Sequence, residues 1–378
     1  MKTFNGLRGF VGACLLLLAG GLAAADASQA VLRLLNSRAA GSLRGYAEAA
    51  ADVAEEARKG GTVCGYLLAI VSRDPDAPAA AQLDATTCSN YLARCRGPIQ
   101  RLALERDNAM AWYLLSLETG DTNLLRRAAV RGSAQAANAW GSYIFSQAMT
   151  QTRSTNELAR VLDEAYGFFK KAAGEGDANG LYNLGMCLWR GLGVDRNDVD
   201  AFSCFRAAAE KGHPEAINNI GSFFRDGIVV EKDVGLATKW FAKSASYENP
   251  YGQFNYALAL RRGEGVAVDL EKAAGLLKKA ADGGCVEAIN VYGVVLWKGE
   301  GVAADPRRAF ELFMKAAGAG YPPAMENVST CYERGVGVAV DERKAVEWKI
   351  RSRAMQGDRN AQDWLRQNDK RPQEQTSF

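Results

Sequence analysis

The sequence is nearly without histidine, since His213 is the only one among its 378 residues. Zinc sites and Ser-His-Asp or Cys-His catalytic groups depend on histidine as a ligand or as a base. A chain with one histidine has almost nothing from which to build either kind of site. Because Pro214 follows His213 directly, we expect this histidine at a surface turn between two helices.

Motifs for phosphate binding and for nucleophilic catalysis are also missing. The chain has no Gly-x-x-x-x-Gly-Lys-Ser/Thr loop, no Gly-x-Ser-x-Gly elbow and no Ser-x-x-Lys motif. A small acidic cluster runs from Asp195 to Asp200, but it lacks the glycine of a calcium loop, and we interpret it as helix capping. The sequence therefore predicts no cofactor, no metal and no catalysis. A carboxylate pair in a groove, as in glycosidases, stays open.

Neither sign of charge is in large excess. The chain has 46 lysines and arginines against 43 aspartates and glutamates. Without residues 1–25, which include Lys2 and Arg8, 44 basic and 43 acidic residues remain. No strong field would draw such a chain to nucleic acid or to an acidic membrane surface. We therefore expect neither as a partner.

The apolar run from Gly9 to Leu22 is followed by three alanines and preceded by two basic residues. This is the pattern of a cleaved export signal, and the run is shorter than the roughly 20 residues of a membrane span. We predict that residues 1–25 are a signal peptide, so that the mature protein is periplasmic or secreted and has no stable membrane span. An uncleaved anchor and lipidation at Cys14 are alternatives, although the apolar run continues past Cys14.

A glycine-rich segment returns along the chain at a fixed interval of 36 residues. A period between 20 and 50 residues is typical of proteins built from stacked repeats. A valine lies three residues after the recurring glycine, an alanine lies ten after it, and a small residue lies six before it. The recurring glycines are Gly191, Gly227, Gly263, Gly299 and Gly335.

Each repeat is predicted to fold as two antiparallel helices, helix A and helix B. The recurring glycine stands where helix A ends in the left-handed conformation, which glycine adopts at low cost. The small residue in helix A allows close approach of a neighbouring backbone. Helix B begins after a residue whose side chain accepts hydrogen bonds from free helix amides. These residues are Asn197, Asp233, Asp269, Asp305 and Asp341.

The small residue, the Gly-x-Gly-Val turn, the Asp cap and the Ala-Ala pair of helix B resemble the Sel-one-like repeat, a relative of the tetratricopeptide repeat. The resemblance implies an all-α fold, a right-handed α-solenoid of stacked antiparallel helix pairs with a 36-residue period. Five copies span residues 177–358. Val229 replaces the second glycine of one turn, and Ser352-Arg353 replaces the alanine pair of the last copy. A degenerate earlier copy is predicted at 133–176.

The remaining parts of the chain lack this signature. Helical spacing of apolar residues within 26–132 predicts an all-α cap that continues into the repeats. Residues 359–378 are expected to form a helix remnant and a polar tail.

Seven cysteines remain after the predicted cleavage, and export would permit disulfides. Cys88 and Cys95 cannot bridge each other within one helix, where they would lie about 10.5 Å apart. Cys64 is therefore the candidate partner for one of them, with buried apolar thiols as the alternative. Cys187 and Cys204 are a second possible pair, since they lie on the two helices of one repeat.

The resemblance implies a groove lined by helix A, at positions that share one helix face. The predicted lining comprises Asn179, Tyr182, Met186, Trp189, Glu215, Asn218, Ser222, Arg225, Tyr251, Phe254, Leu258, Arg261, Glu287, Asn290, Val294 and Trp297. Aromatic residues and arginines often carry binding energy, but such aromatics also fill the core between repeats. The predicted partner-binding residues are Tyr182, Trp189, Asn218, Arg225, Phe254, Arg261, Arg262, Asn290, Trp297 and Lys298.

Two further columns have both a structural and a binding interpretation. Asparagine recurs two residues before the small residue, where its amide would bond a neighbouring helix or a bound peptide; the residues are Asn183, Asn219, Asn255 and Asn327. Basic residues recur just before the turn glycine, where they would stabilise helix C-termini or bind an acidic partner; these are Arg190, Arg262, Lys298 and Arg334.

These features predict an exported scaffold that binds a protein or peptide partner along the concave surface without catalysis. The resemblance extends to cysteine-rich family members described as binding or hydrolysing penicillins, and an enzyme-like role at the cell envelope is the alternative. The missing Ser-x-x-Lys motif argues against it. Binding of a cell-wall glycan is a third hypothesis, supported only by the groove aromatics.

Overall fold

The computed structural model describes residues 53–55, 69, 83–151 and 154–368, and their regular elements are α-helices without a strand. The chain divides into two compact units between Lys232 and Asp233. The first unit contains α1 (Ala85–Arg106), α2 (Ala109–Thr119), α3 (Thr122–Arg131), α4 (Ala134–Thr150), α5 (Thr155–Gly174), α6 (Ala178–Arg190), α7 (Asp198–Glu210) and α8 (Pro214–Asp226). The second contains α9 (Val234–Ser246), α10 (Pro250–Arg262), α11 (Leu270–Asp282), α12 (Val286–Lys298), α13 (Pro306–Gly318), α14 (Pro322–Arg334), α15 (Glu342–Met355) and α16 (Arg359–Asn368).

Consecutive helices pack against each other within each unit. In the first unit α4 also contacts α6, two helices further along, as expected when one hairpin stacks on the next. The predicted all-α fold of stacked helix pairs with a 36-residue period is confirmed. The predicted signal peptide, Cys64 and the polar tail after residue 368 lie outside the described residues.

Helix B begins at the predicted capping residues. The side-chain oxygen of Asp269 accepts a hydrogen bond from the Lys272 amide at 2.9 Å, and Asp305 accepts one from Arg308 at 2.9 Å. Asn197, the one amide in this column, accepts a bond from the Asp200 amide at 3.1 Å. Capping of this kind satisfies amides that have no partner inside the helix, so the start of helix B was predictable residue by residue.

Helix A ends at the recurring glycine, which has φ between +66° and +72° in all five copies. The second glycine of the turn is also left-handed, and it has a further role. A Cβ at Gly301 would overlap the Leu270 carbonyl at the start of the preceding helix B, and a Cβ at Gly337 would overlap that of Pro306. The second glycine therefore permits contact between successive repeats. Val229 takes the same position with φ +67°.

In two copies the small residue in helix A faces the phenylalanine ring of helix B. A Cβ placed on Gly185 would lie 2.8 Å from the ring of Phe205, and one on Gly293 would lie 2.6 Å from that of Phe313. Both rings are fully buried. The predicted reason, close backbone approach, was incomplete, because the space that glycine leaves is filled by a phenylalanine side chain.

Candidate interaction surface

The two predicted groove aromatics of the first unit are half-buried and lie against other rings. The Tyr182 ring stacks on the imidazole of His213, with centroids 4.4 Å apart and an interplanar angle of 18°. Trp189 meets Phe205 edge-on at 6.2 Å and lies 5.9 Å from Phe223. Most of the area of these side chains is therefore committed to packing between helices.

The two predicted aromatics of the second unit have a similar environment. Phe254 and Trp297 are half-buried and pack against the hydrophobic core formed by α10 to α15. Trp297 meets the buried Phe313 edge-on at 6.5 Å. In both units the predicted aromatics contribute to the core and expose only part of their surface.

The amides of the asparagine column join successive repeats. Nδ2 of Asn327 donates to Oδ1 of Asn290 at 2.8 Å, and Nδ2 of Asn183 donates to Oδ1 of Asn138 at 2.8 Å. In each pair the acceptor lies three residues before the small residue of the earlier repeat. Asn218 and Asn290 are both buried, so Asn290 acts as a buried link between α12 and α14.

The four basic residues of the predicted binding set all have acidic neighbours. Nε of Arg225 donates to Oδ1 of the adjacent Asp226 at 2.8 Å. Arg262 lies 3.5 Å from Glu264. Glu300 lies 2.6 Å from Arg261 and 3.7 Å from Lys298.

Exposure separates these cations into two groups. The side chain of Arg261 is 20% exposed, whereas those of Arg262 and Lys298 are 61% and 59% exposed. Exposed ion pairs are weak and exchange readily with other partners. Arg262 and Lys298 therefore remain accessible from solvent, and Arg261 is held within the fold.

His213 is buried rather than at a surface turn, which corrects the expectation from the sequence. Its Nδ1 accepts a hydrogen bond from the Ala216 amide at 3.4 Å and lies 3.2 Å from Oε2 of Glu215. The imidazole thus occupies the N-cap position of α8, where Asp177 and Asn249 cap the equivalent helices α6 and α10. The repeat accepts a histidine here because its ring nitrogen replaces a side-chain oxygen.

Cys88 and Cys95 lie buried on the same helix, α1, so a bridge between the two is excluded as expected. A disulfide to Cys64 stays a prediction, since Cys64 lies outside the described residues. Cys187 and Cys204 are free thiols, and the possible bridge between them is not formed. Burial raises the pKa of the Cys187 and Cys331 thiols to about 11.

The described part of the chain contains no group of three or more His, Cys, Asp or Glu side chains placed to hold a metal ion. Within the same residues no helix combines the length and the apolar character that a membrane span requires.

Sequence reasoning did not single out the most exposed aromatic of the helix A surface. Tyr251, in the first turn of α10, is 50% exposed. Tyr251 belongs to the predicted groove lining. The equivalent positions of the other repeats are Asn179, Glu215 and Glu287, so no aromatic residue recurs there. Only the environment of each ring distinguishes Tyr251 from the packed aromatics.

The fold and its caps define a class, the α-helical repeat proteins built from stacked hairpins. The Sel1 repeat model matches six segments that together make up about half of the chain: 155–177, 178–213, 214–246, 250–285, 286–321 and 322–349. The chain therefore belongs to the Sel1 repeat family. The first match includes α5 of the predicted degenerate copy. Sel1-repeat proteins generally act as scaffolds for protein–protein interactions.

Solved structures of similar proteins share this fold. The uropathogenic Escherichia coli protein c5321, a protective antigen displaying an SLR fold, is 25% identical with a TM-score of 0.53, and the match covers 83% of this chain. This chain spans 65% of the length of that structure, slightly under two thirds. A Sel1 repeat protein from Oxalobacter formigenes is 23% identical with a TM-score of 0.51; the match covers 68% of this chain and 95% of that one. Among curated proteins none gives a significant match.

Proposed function

We propose that this protein is an exported scaffold that binds a protein partner through the helix A surface of its Sel1 repeats, without catalysing a reaction. The observation that carries this proposal is the division of the surface residues into a packed set and an accessible set. Tyr182, Trp189, Phe254 and Trp297 hold the helices together. Arg262, Lys298 and the half-exposed Tyr251 lie open to solvent, and arginine and tyrosine are among the residue types enriched at protein interfaces.

Export is supported by the sequence of residues 1–25, where basic residues, an apolar run and small residues follow in the order of a signal peptide. Fractionation followed by mass measurement of the intact protein tests this. We expect a periplasmic or secreted form that begins near Asp26, and a full-length cytoplasmic form would contradict it.

Site-specific photo-crosslinking in living cells tests the interaction surface. A photoreactive phenylalanine replaces Arg262 or Lys298 on the helix A side, and in a matched control it replaces the exposed Lys278 on α11. We expect the same partner to be captured at 262 and 298 but not at 278, and Arg262→Glu to weaken capture at 298. Equal capture at all three positions would contradict the proposed surface.

A further inference from the structure

The basic residues of the second unit are concentrated on its B helices. There α9, α11, α13 and α15 together carry 13 lysines and arginines against five aspartates and glutamates. The A helices α10, α12 and α14 of the same unit carry four against three, and the B helices α5 and α7 of the first unit carry four against six. The balanced charge of the whole chain therefore conceals a positively charged helix B surface in the second unit.

One cation recurs at the same position of these four B helices, ten residues after the capping residue. We call this set the basic column; it consists of Lys243, Lys279, Lys315 and Arg351. The three lysines are exposed, and the Arg351 side chain is 40% exposed. Nζ of Lys243 lies 5.1 Å from the centre of the Trp240 ring, and Cζ of Arg351 lies 5.2 Å from that of Trp348, the equivalent tryptophan. The first and last cations of the column thus have the same placement, over a ring three residues earlier on the same helix.

The two middle lysines of the column are not used for bonds within the fold. In the part of the chain that the structure describes, Lys279 and Lys315 have no acidic side chain within ion-pair distance and form no side-chain hydrogen bond. The equivalent Lys171 of the first unit differs, because its Nζ donates to two backbone carbonyls at the end of α3, at 2.7 and 2.8 Å. The helix dipole favours a cation in the last turn, yet α7 has the same dipole and carries Ala207 at this position. These lysines therefore remain available to a partner.

Carboxylates limit the width of the basic surface. Each of the four B helices begins at an aspartate cap, about 15 Å along the helix axis from its cation of the basic column; the caps are Asp233, Asp269, Asp305 and Asp341. A bilayer or a nucleic-acid duplex that covered the helix B surface would meet one cap carboxylate for each cation of the column. A single extended polyanion that crosses the four helices along the column would meet the cations alone. The charge pattern therefore fits a narrow anionic ligand.

We propose that the basic column binds an extended acidic segment of a second partner protein, distinct from the partner of the helix A surface. Successive hairpins stack about 10 Å apart, a distance that an extended chain covers in about three residues. A segment of about ten residues with regularly spaced aspartates or glutamates thus reaches all four cations. Lysine suits such a ligand, because its point charge on a flexible stem pairs with a carboxylate without a fixed geometry. The scaffold would then hold one protein on its A helices and another on its B helices.

Fluorescence anisotropy with the full-length mature protein tests this proposal, and the probe is a fluorescein-labelled peptide of ten glutamates. We expect Lys279→Gln and Lys315→Gln each to weaken binding by about two- to fivefold, since glutamine keeps the helix propensity but not the charge. The matched control Arg307→Gln removes an exposed charge from the first turn of α13, beside its cap, and should weaken binding less than Lys315→Gln. A second control, Arg206→Gln on the exposed side of α7, should leave the affinity unchanged.

Equal losses in Lys315→Gln and Arg307→Gln, or no binding of the glutamate peptide, would overturn the proposal. Vesicles of phosphatidylglycerol or a single-stranded oligonucleotide would overturn it by displacing the labelled peptide at a lower concentration of anionic groups than the unlabelled peptide requires. Either result would indicate a lipid or a nucleic acid as the partner. Thermal unfolding at the wild-type temperature shows that each variant is folded. The titration examines the B helices and the crosslinking at 262 and 298 examines the A helices, so either can fail while the other succeeds.

Discussion

Arg261 and Glu300 form an ion pair between two successive repeats, with Nη2 of Arg261 2.6 Å from Oε2 of Glu300 and Nε at 3.2 Å from the same oxygen. The guanidinium at the end of α10 thereby holds the turn that follows α12. Arg261, which is also one of the predicted partner-binding residues, therefore links two successive repeats.

This pairing predicts that Arg261→Ala destabilises the protein. Both side chains are about three-quarters buried, and the loss of Arg261 leaves the Glu300 carboxylate with only the contact to Lys298 at 3.7 Å. We expect a loss of about 1 kcal/mol in the free energy of unfolding, measured by urea denaturation. Arg262→Ala, at the exposed neighbouring position, is the control and changes it by less than about 0.5 kcal/mol. Equal losses in the two variants would show that the ion pair contributes nothing.

Val229→Gly is expected to stabilise the protein. Val229 has φ +67° at a turn position where the other copies have glycine. A left-handed conformation costs a residue with a Cβ about 1–2 kcal/mol, and glycine loses about 0.5–1 kcal/mol through greater freedom of the unfolded chain. The net gain is up to about 1.5 kcal/mol, and calorimetry would detect it as a higher Tm. A lower Tm would mean that the half-exposed valine side chain packs favourably.

Gly293→Ala is expected to destabilise the protein although alanine favours helices. The new methyl group would lie 2.6 Å from the fully buried Phe313 ring. Overpacking costs about 1–3 kcal/mol, which exceeds the roughly 1 kcal/mol gained in helix propensity. Gly275→Ala is the control, because nothing lies within 4 Å of that position, and it should stabilise.

Phe313→Leu should rescue Gly293→Ala. The repeat that contains α10 and α11 already carries the smaller combination, with Ala257 and Leu277 at the two equivalent positions, both buried in the core. A double-mutant cycle measured by urea denaturation should show a favourable coupling of about 1 kcal/mol. Additive effects would mean that the two side chains do not share this space.

The buried thiols of the repeats should react slowly in the native protein. The reactive species is the thiolate, and burial raises the pKa of Cys285 to about 12 and of Cys187 and Cys331 to about 11. Iodoacetamide at pH 8 should leave these three unlabelled, whereas all of them react in urea, as read by peptide mass mapping. Native labelling of Cys285 at the rate of an unfolded thiol would contradict both its burial and its pKa.

Asp341→Asn should make stability less sensitive to acid. The Lys344 amide donates to Asp341, and this bond lowers the pKa of the carboxyl below its ordinary value of 3.8. A lowered pKa stabilises the fold above the ordinary value, and this contribution disappears as the pH falls through the folded pKa. Asparagine keeps the cap, as Asn197 does. Unfolding midpoints measured from neutral pH to about pH 2 should therefore decrease less in the variant than in the wild type.

The helix boundaries were predictable because each depends on one or two nearby residues. Asp269 caps the amide three residues on, and Gly263 ends its helix through its own φ. Because the same residue types recur every 36 residues, the helix boundaries of one repeat predict those of the others. The burial of His213 was not predicted, because a ring nitrogen rather than a side-chain oxygen caps α8. The residues next to His213 give no sign of this role.

The roles of the surface residues were less predictable, because they depend on side chains one repeat away. Arg261 and Arg262 are adjacent in sequence, yet one is held by Glu300 and the other lies open. Trp297 and Tyr251 belong to one predicted helix face, but their exposure differs because Trp297 has a phenylalanine of helix B beside it. Helical period assigns a face, while exposure is set by packing in three dimensions.

The Asn327–Asn290 hydrogen bond joins α14 to α12, the A helix of the preceding repeat. The Asn183–Asn138 bond joins α6 to α4 in the same way. A copy that carries asparagine at both positions, such as the one with Asn218 and Asn219, brings the donor and the acceptor of this contact with it. Duplication of such a 36-residue segment would therefore lengthen the repeat array and keep the same hydrogen bond between the added repeats. The array could become longer in evolution without substitutions in its core.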